Sequence, residues 1–243
     1  MAKVFINPGH SLVNDAGATN KELNLQERYL TRDIGKALGE ILQASGIQVE
    51  VYQQQKSLND VPKKANTSGA HLFVSIHMNA PTTTSGGVEV LYCEGSTKGK
   101  EVAQTILNHI TKVGNYTFRN RGIKDDANRH LCVLRQTKMN ACLVEMGFIT
   151  YNTEATFVAT HIEECAQAIA NGIKEYLAKQ GLYKEVIQAS TSTLVHNKAK
   201  IVIVPSGVNG TFNLLVNDNL VLKANSLETI HKFIEEKYKS SLY

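Results

Sequence analysis

Short apolar runs alternate with segments of helical periodicity over the first 180 residues, and this alternation restricts the fold more than any other feature. Residues 4–6 form an apolar run that stops at the turn Asn7-Pro8-Gly9, and apolar residues recur at helical spacing over 25–45 before Gly46. Further strands are predicted at 47–52, 72–76, 88–92 and 142–144, and further helices at 58–69, 98–114 and 160–179. Because strands joined by helical crossovers pair in parallel, we expect an α/β fold with a mixed, mostly parallel sheet flanked by helices.

The composition changes near the end of this alternating region. Residues 181–197 are polar and rich in Ser and Thr, which is typical of a linker. Two β-patterned runs follow at 200–204 and 212–222, and the turn residues Asn217-Asp218-Asn219 in the second run predict a hairpin. A capped helix is predicted to begin at Ser226. The sequence therefore divides into a domain over 1–180, a linker over 181–197 and a small α+β C-terminal module over 198–243.

Charge and composition argue against several classes of protein. The 243-residue chain has a net charge of +4 with its charged residues interspersed, which does not indicate a nucleic-acid partner. Its longest apolar runs are short, such as 201–204, whereas a membrane-spanning helix needs roughly 20 apolar residues. The N-terminus lacks the pattern of a secretory signal peptide, so we expect synthesis in the cytoplasm without a leader. None of the four cysteines forms a C-x-x-C pair, which favours free thiols over a structural zinc site.

Four polar residues occupy positions where a predicted strand ends or where the first long helix starts. His10 follows the first strand and its Pro-Gly turn, while His77 and Glu145 each follow a buried strand directly. Ligands of α/β sheets bind outside the carboxyl ends of the strands, so these three side chains should converge at one edge of the sheet. Glu27 lies at the start of the helix, and the polar loop 11–26 is long enough to bring it back over that edge.

Two histidines and a glutamate form a suitable set of zinc ligands. Neutral imidazole nitrogens and a carboxylate oxygen bind zinc, and three protein ligands leave the fourth position open for water. The metal lowers the pKa of that water and polarises a carbonyl group. A second carboxylate is then needed to take the proton from the water and pass it to a leaving amine. Glu145 is the candidate, because it lies in an apolar segment where a glutamate is rare unless it is paired or functional.

Each of these residues also has an ordinary structural interpretation. A single histidine at a strand end is more often a hydrogen-bonded surface or core residue, and Glu27 alone is typical of a charge in the first turn of a helix. A Cys–His hydrolase that uses Cys142 and His77 is disfavoured, because a catalytic thiolate needs an exposed, electropositive setting. Asn79 and Arg121 are polar residues in predicted loops and are candidates for substrate binding.

Five segments, taken in order along the chain, carry a family resemblance. They are the strand and Pro-Gly-His turn of 4–10, Ala65-Asn66 together with 71–80, the Gly-Gly-Val-Glu-Val segment of 86–90, the Asn-Arg-Gly-Ile-Lys segment of 120–124, and 142–149. Together they resemble motifs of the zinc-dependent N-acetylmuramoyl-L-alanine amidases of the amidase-3 type. The resemblance runs from about residue 1 to residue 179. Each motif alone is weak, but the ordered set is highly specific.

The resemblance implies a zinc site of His10, Glu27 and His77, with Glu145 as the catalytic residue; Glu22 lies close enough in the chain to compete with Glu27. The implied reaction is hydrolysis of the amide between the lactyl group of N-acetylmuramic acid and L-alanine in bacterial peptidoglycan. The missing leader and the small extra module look like a bacteriophage endolysin, made in the cytoplasm and acting on the cell wall. The C-terminal module is then expected to bind the wall or to form a homo-oligomer.

Two other functions remain open for the same residues. A zinc hydrolase of another amide, such as a carboxypeptidase or a deacetylase, would use the same chemistry. A wall-binding protein with an inactive enzyme fold is the second alternative, although none of the four key positions is substituted.

Overall fold

The computed structural model describes residues 1–80 and 86–184, and beyond them the backbone of four strands. The chain divides into two compact units, residues 1–185 and 186–243. The strands of the first unit are β1 (Lys3–Pro8), β2 (Thr19–Asn20), β3 (Leu25–Gln26), β4 (Gln48–Val51), β5 (Leu72–Asn79), β6 (Val88–Tyr92), β7 (Lys112–Val113), β8 (Tyr116–Thr117), β9 (Asn120–Asp125) and β10 (Asn140–Phe148). Its helices are α1 (Glu27–Ala44), α2 (Asp60–Thr67), α3 (Thr97–Ile110), α4 (Cys132–Arg135), α5 (Asn152–Thr160) and α6 (Ile162–Lys179).

A six-stranded mixed sheet with the order β4-β1-β5-β10-β6-β9 forms the centre of the first unit. Strand β1 pairs in parallel with β4 and β5, and β5 pairs in parallel with β10. Strand β6 joins β10 in antiparallel orientation, and β9 runs parallel to β6. The predicted α/β fold with a mostly parallel sheet is therefore confirmed. No helix in the described part of the chain is long and apolar enough to cross a membrane.

Successive side chains of the central strands pack on opposite faces of the sheet. Val4 and Ile6 belong to the larger core, which includes residues of helices α1, α3 and α6. The opposite face, called the second face below, carries the buried side chains of Phe5, Phe73 and Leu143 together with residues of α2 and α4. The strand alternation places every second residue after Phe73 and Leu143 on this second face as well.

Helix α1 packs against the central sheet through one apolar face, as the spacing of its apolar residues predicts. The buried stripe consists of Leu30, Ile34, Leu38 and Leu42. The helix ends in a Schellman arrangement: the amide of Gly46 donates to the carbonyl of Gln43, and the amide of Ile47 donates to that of Leu42. Gly46 has a φ of 79°, which explains the glycine there.

Two central strands extend further than predicted. Strand β5 continues to Asn79 and β10 continues to Phe148, so His77 and Glu145 lie inside strands and not beyond their ends. The reason is that the two strands pair in register, with Glu145 opposite His77, which continues the ladder past the apolar residues. The polar residues consequently gather on the second face near the carboxyl ends of the parallel strands. Apolar periodicity also did not predict the short hairpins β2–β3 and β7–β8, strand β9, or helices α4 and α5.

The described part of the second unit is a four-stranded antiparallel sheet. Its strands are β11 (Ser192–His196), β12 (Ala199–Pro205), β13 (Phe212–Val216) and β14 (Asn219–Ala224). Strands β13 and β14 form the predicted hairpin. Strand β11 lies inside the stretch 181–197 that we predicted as a linker; its Thr and Val residues favour a strand despite the polar composition around them. The helix predicted from Ser226 lies outside the described residues.

Gly35 marks a close approach of α1 to the turn that precedes His10. A Cβ atom at Gly35 would lie 2.5 Å from Cγ of Pro8. We expect Gly35→Ala to lower the free energy of unfolding by about 1–3 kcal/mol, because the added methyl group overpacks this contact. Equilibrium unfolding in urea measures the change.

Gly39 in the same helix is a matched control. A Cβ atom there would lie 3.0 Å from Cγ2 of Val51, an exposed side chain that can move. Alanine also favours the helix by up to about 1 kcal/mol, so Gly39→Ala should be neutral or stabilising. Equal stability of the Gly35→Ala variant and the wild type would contradict a tight contact between α1 and Pro8.

Candidate metal centre and catalytic site

His10, Glu27 and His77 meet at one place in the structure. His10 Nε2 lies 2.9 Å from Glu27 Oε2, and His77 Nδ1 lies 3.0 Å from Glu27 Oε1. The two imidazole rings stand edge to face with centroids 4.9 Å apart. One ligand atom of each residue lies within 4.8 Å of the others, and no other group of His, Cys, Asp or Glu among the described residues meets this criterion. Glu22, the competing candidate, is exposed. The three residues predicted as ligands are thus brought together.

The backbone around each residue explains this convergence. Gly9 lies so close to the His77 ring that a Cβ atom would be 2.3 Å from Cε1, so glycine is required there. His10 has a φ of 64°, in the left-handed region that is uncommon for residues other than glycine. Glu27 is the first residue of α1, and its amide donates to the carbonyl of Ala18, which folds the preceding loop back as predicted.

Glu27 is buried and both of its oxygens are held by the backbone. Oε2 accepts the amide of Ala18 at 2.9 Å, and Oε1 accepts the amide of Met78 at 3.0 Å. Burial favours the neutral carboxyl, but hydrogen bonds and charge from His10 and His77 outweigh it and hold the pKa of Glu27 well below its usual range. Glu27 therefore presents an ionised and fixed carboxylate to any cation at this point.

Asp15 is a partner of His10 that the sequence reasoning missed. Its Oδ2 lies 3.0 Å from His10 Nδ1, and its Oδ1 accepts the amide of Gly17. Burial opposes the imidazolium, but Glu27 and Asp15 together outweigh it and raise the pKa of His10 to about 9. The bond at Nδ1 fixes the ring so that Nε2 faces Glu27, which is how carboxylates orient metal-binding histidines. In the sequence, an aspartate five residues after a histidine in a polar loop is only a faint signal.

Glu145 lies next to this group on the neighbouring strand. It pairs opposite His77 in parallel register, so both side chains are on the second face. Its Oε2 is buried and has no hydrogen-bond partner among the described residues. Burial, assisted by the negative charges of Glu27 and Glu89, raises the pKa of Glu145 to about 8. A carboxyl oxygen that is buried without a partner is costly, and such groups concentrate at functional sites.

Glu89 is a fully buried glutamate opposite Glu145, and it was not predicted as a site residue. It pairs opposite Glu145 across the antiparallel strands β10 and β6, and its side chain is fully buried. Burial favours its neutral form, but ion pairs with Lys124, Arg121 and Arg129 outweigh burial and lower the pKa of Glu89. Like Glu145, Glu89 lies between apolar strand residues, Val88 and Val90, and this signal is visible in the sequence.

The two residues predicted to bind substrate, Asn79 and Arg121, both contact Glu89. Asn79 Nδ2 donates to Glu89 Oε1 at 3.1 Å, and Arg121 Nε donates to Oε2 at 2.9 Å. The Arg121 guanidinium also lies over the ring of Phe148, 4.8 Å from its centroid. Asn79 lies on β5, the strand next to β10, whereas Arg121 lies on β9, two strands from β10, so both residues are in strands and not in the predicted loops.

The side chains gathered here suit zinc and do not suit thiolate chemistry. Two imidazole nitrogens and one carboxylate oxygen are a ligand set that binds zinc and leaves a fourth position open. Cys142 is fully buried in the larger core, on the face opposite His77, and burial raises the pKa of its thiol far above neutrality. The Cys–His alternative is therefore wrong. All four cysteines are free, as predicted.

Sequence comparison identifies the family. A family model for N-acetylmuramoyl-L-alanine amidase matches residues 4–175. The chain is 36% identical over 201 residues to the sporulation-specific N-acetylmuramoyl-L-alanine amidase of Bacillus subtilis strain 168, and the alignment covers 78% of this chain and 75% of that protein.

Two solved structures share the fold of the first unit. The N-acetylmuramoyl-L-alanine amidase from Clostridium difficile 630 is 35% identical, with a TM-score of 0.68, and the match covers 74% of this chain and 98% of that one. The catalytic domain of the CD27L endolysin, which targets Clostridia difficile, is 26% identical with a TM-score of 0.61, over 71% of this chain and 97% of that one. The chain therefore belongs to the N-acetylmuramoyl-L-alanine amidase family of enzymes, whose substrate is bacterial peptidoglycan.

Proposed function

We propose that this protein is a zinc-dependent hydrolase of the amide bond between the lactyl group of N-acetylmuramic acid and L-alanine, with Glu145 as general base and then general acid. One observation carries the proposal: the unpartnered, buried Oε2 of Glu145 stands on the strand next to the group formed by His10, Glu27 and His77. No contact of that oxygen within the described residues gives it a structural role.

The roles of the side chains follow from their positions. Zinc held by His10, Glu27 and His77 would supply a Lewis acid that polarises the scissile carbonyl and activates water. Glu145 takes the proton of the attacking water and then delivers it to the leaving amine nitrogen. Burial raises the pKa of Glu145 to about 8. A cation held by the three ligands would favour the carboxylate form that a general base needs, because a nearby positive charge stabilises it. Asp15 keeps the His10 ring oriented with Nε2 toward the site.

Asn79 and Arg121 are proposed to position the substrate. Arg121 uses Nε for Glu89, so its two terminal nitrogens lie outside that bond and can donate to oxygens of the glycopeptide. Asn79 Oδ1 accepts the amide of Ala80, and its Nδ2 carries a second proton besides the one donated to Glu89.

Mass spectrometry of the products from purified walls tests the reaction. We expect stem peptides that begin with a free L-alanine amine, together with glycan chains that bear free lactyl carboxyl groups, and we expect a chelator to stop their release. A carboxypeptidase would instead release the last residue of the stem, a deacetylase would release acetate, and a wall-binding protein would release nothing. Any of these three results would contradict the proposed function.

For the cellular setting, we propose that the enzyme lyses vegetative cell walls as an endolysin does. The likeness to the CD27L catalytic domain supports this setting, whereas the identity with the sporulation-specific amidase favours a role on spore peptidoglycan. Comparing hydrolysis of vegetative walls with hydrolysis of spore peptidoglycan decides between them, since only the endolysin setting expects efficient cleavage of vegetative walls.

The C-terminal residues 198–243 are proposed as a module for wall binding or self-association. The support is that residues 186–243 form a compact unit of their own with an antiparallel sheet. Sedimentation of the full chain, alone and with insoluble walls, separates the two roles, and a monomer that does not sediment with walls would contradict both.

A further inference from the structure

Three cationic side chains converge on the single carboxylate of Glu89. Arg121 Nε lies 2.9 Å from Oε2, Lys124 Nζ contacts the same oxygen, and Arg129 lies 3.1 Å from Oε1. The Glu89 side chain is fully buried, while those of Arg121, Lys124 and Arg129 are 23%, 37% and 43% exposed. We call these three residues the cation cluster. Its three positive charges meet one negative charge, so a surplus of about two charges faces solvent.

Other acidic groups nearby do not remove this surplus. The Glu154 carboxyl is occupied by the backbone, since its Oε2 accepts the amide of Phe148 at 2.8 Å. Glu145 forms no ion pair with the cluster among the described residues, and its Oε2 has no hydrogen-bond partner there. Asp126 is occupied by Arg135 through a 2.8 Å ion pair. A single cation would be enough to compensate Glu89, so the structural role of that carboxylate does not explain three.

The position of the cation cluster relative to the reacting groups is set by the sheet. Glu145 pairs opposite His77 on one side and opposite Glu89 on the other. Neighbouring strands are about 4.8 Å apart, so the metal ligand His77, the acid Glu145 and the carboxylate Glu89 follow one another over about 10 Å on one face. The scissile carbonyl belongs on the metal side, and the leaving nitrogen belongs near Glu145. The peptide that leaves must then extend toward Glu89.

We propose that the cation cluster binds a carboxylate on the leaving stem peptide, carried by the residue that follows L-alanine. This inference rests on the proposed amidase function. A residue spans about 3.3–3.6 Å of extended chain, so a carboxylate on the second residue lies within reach of a group one strand beyond Glu145. Lys and Arg side chains that keep part of their surface in solvent have donors to offer an anion, and charge-assisted bonds to a carboxylate are stronger than bonds to a neutral amide. The cluster thus distinguishes stems with a free acid from stems with an amide at that position.

Two synthetic substrates test the proposal with the full-length protein. Both are N-acetylmuramoyl-L-alanyl peptides, identical except that the second residue carries a free α-carboxylate in one and a carboxamide in the other. We expect the wild type to cleave the acid with a kcat/KM about tenfold higher, mainly through KM. Lys124→Gln and Arg129→Gln should each reduce this preference by about threefold to fivefold, and about 0.5 M salt should reduce it as well.

Control variants separate charge from general damage. Arg129→Lys keeps the charge and should retain most of the preference. Lys36→Gln removes a highly exposed charge from α1, about 14 Å along the helix from Glu27, and should leave the preference unchanged. Thermal unfolding of each variant confirms that it folds; the single variants leave Glu89 with two cationic partners.

The possible failures have different meanings. Equal cleavage of both substrates by the wild type, or an equal loss of rate on both substrates in Lys124→Gln and Arg129→Gln, would overturn the role of the cation cluster and leave the amidase assignment intact. Failure of the wild type to release an L-alanine amine from either substrate would overturn the proposed function and this inference with it.

Discussion

Glu145→Gln is expected to reduce hydrolysis of purified walls by about a thousandfold while the protein keeps its metal and its stability. General acid–base catalysis contributes about 10²–10⁴-fold to a rate, and the amide of glutamine cannot take up or deliver the proton. The substitution is nearly isosteric, and the three proposed metal ligands lie on other elements, β5, α1 and the loop after β1. Turbidity loss of wall suspensions, metal analysis of the purified variant and thermal unfolding give the three readings.

The stability expectation distinguishes this variant from an ordinary core mutation. Because Glu145 Oε2 has no hydrogen-bond partner among the described residues, replacing that oxygen removes no contact that holds the fold. We therefore expect a Tm at or above that of the wild type. Glu94→Gln changes an exposed glutamate and should leave both rate and stability unchanged. Near-normal lysis by Glu145→Gln would show that another group moves the proton.

Glu27→Ala is expected to abolish both metal binding and lysis. Removal of a group that only orients a ligand costs about 10–100-fold in metal affinity, so removal of a ligand should cost more than about 100-fold. The same change leaves the amides of Ala18 and Met78 without their carboxylate acceptor, and a buried donor left unpaired costs about 1–3 kcal/mol. Isothermal titration calorimetry with Zn²⁺ measures the loss of metal affinity. Urea unfolding of the metal-free protein measures the loss of stability.

Glu22→Ala is the matched control for this prediction. Glu22 is the neighbouring glutamate that the sequence alone could not set aside, and it is exposed. The Glu22→Ala variant should bind zinc and hydrolyse walls like the wild type. Zinc affinity that survives in Glu27→Ala but falls in Glu22→Ala would exchange their roles.

The architecture could be predicted because apolar periodicity reports directly on burial. The stripe of α1, its end at Gly46 and the strands of the central sheet all follow from residues that must leave water. Strand β9 was missed because it is a polar strand at the edge of the sheet, where half-buried residues give no apolar pattern. Strand β11 was missed for a related reason, since a Ser- and Thr-rich segment fits a linker and an exposed strand equally well.

The residues of the site were predictable to different degrees for a physical reason. His10, Glu27 and His77 could be proposed as a group because zinc requires a small set of side-chain types, and the ends of strands in α/β folds lie together. Asp15 and the cation cluster act through other side chains, so no such rule selects them. Their roles depend on distances across loops and strands, which a linear pattern does not contain.

The register of the three strands has a consequence for how such an enzyme diversifies. His77, Glu145 and Glu89 lie opposite one another on three adjacent strands, and the spacing between paired strands is the same whatever side chains surround them. Insertions or replacements in the surrounding loops can therefore reshape what the enzyme accepts without altering the separation of these three side chains. A shift in the register of β10 by a single position would turn Glu145 to the other face of the sheet. Such a shift would therefore remove Glu145 from the site altogether and not merely displace it.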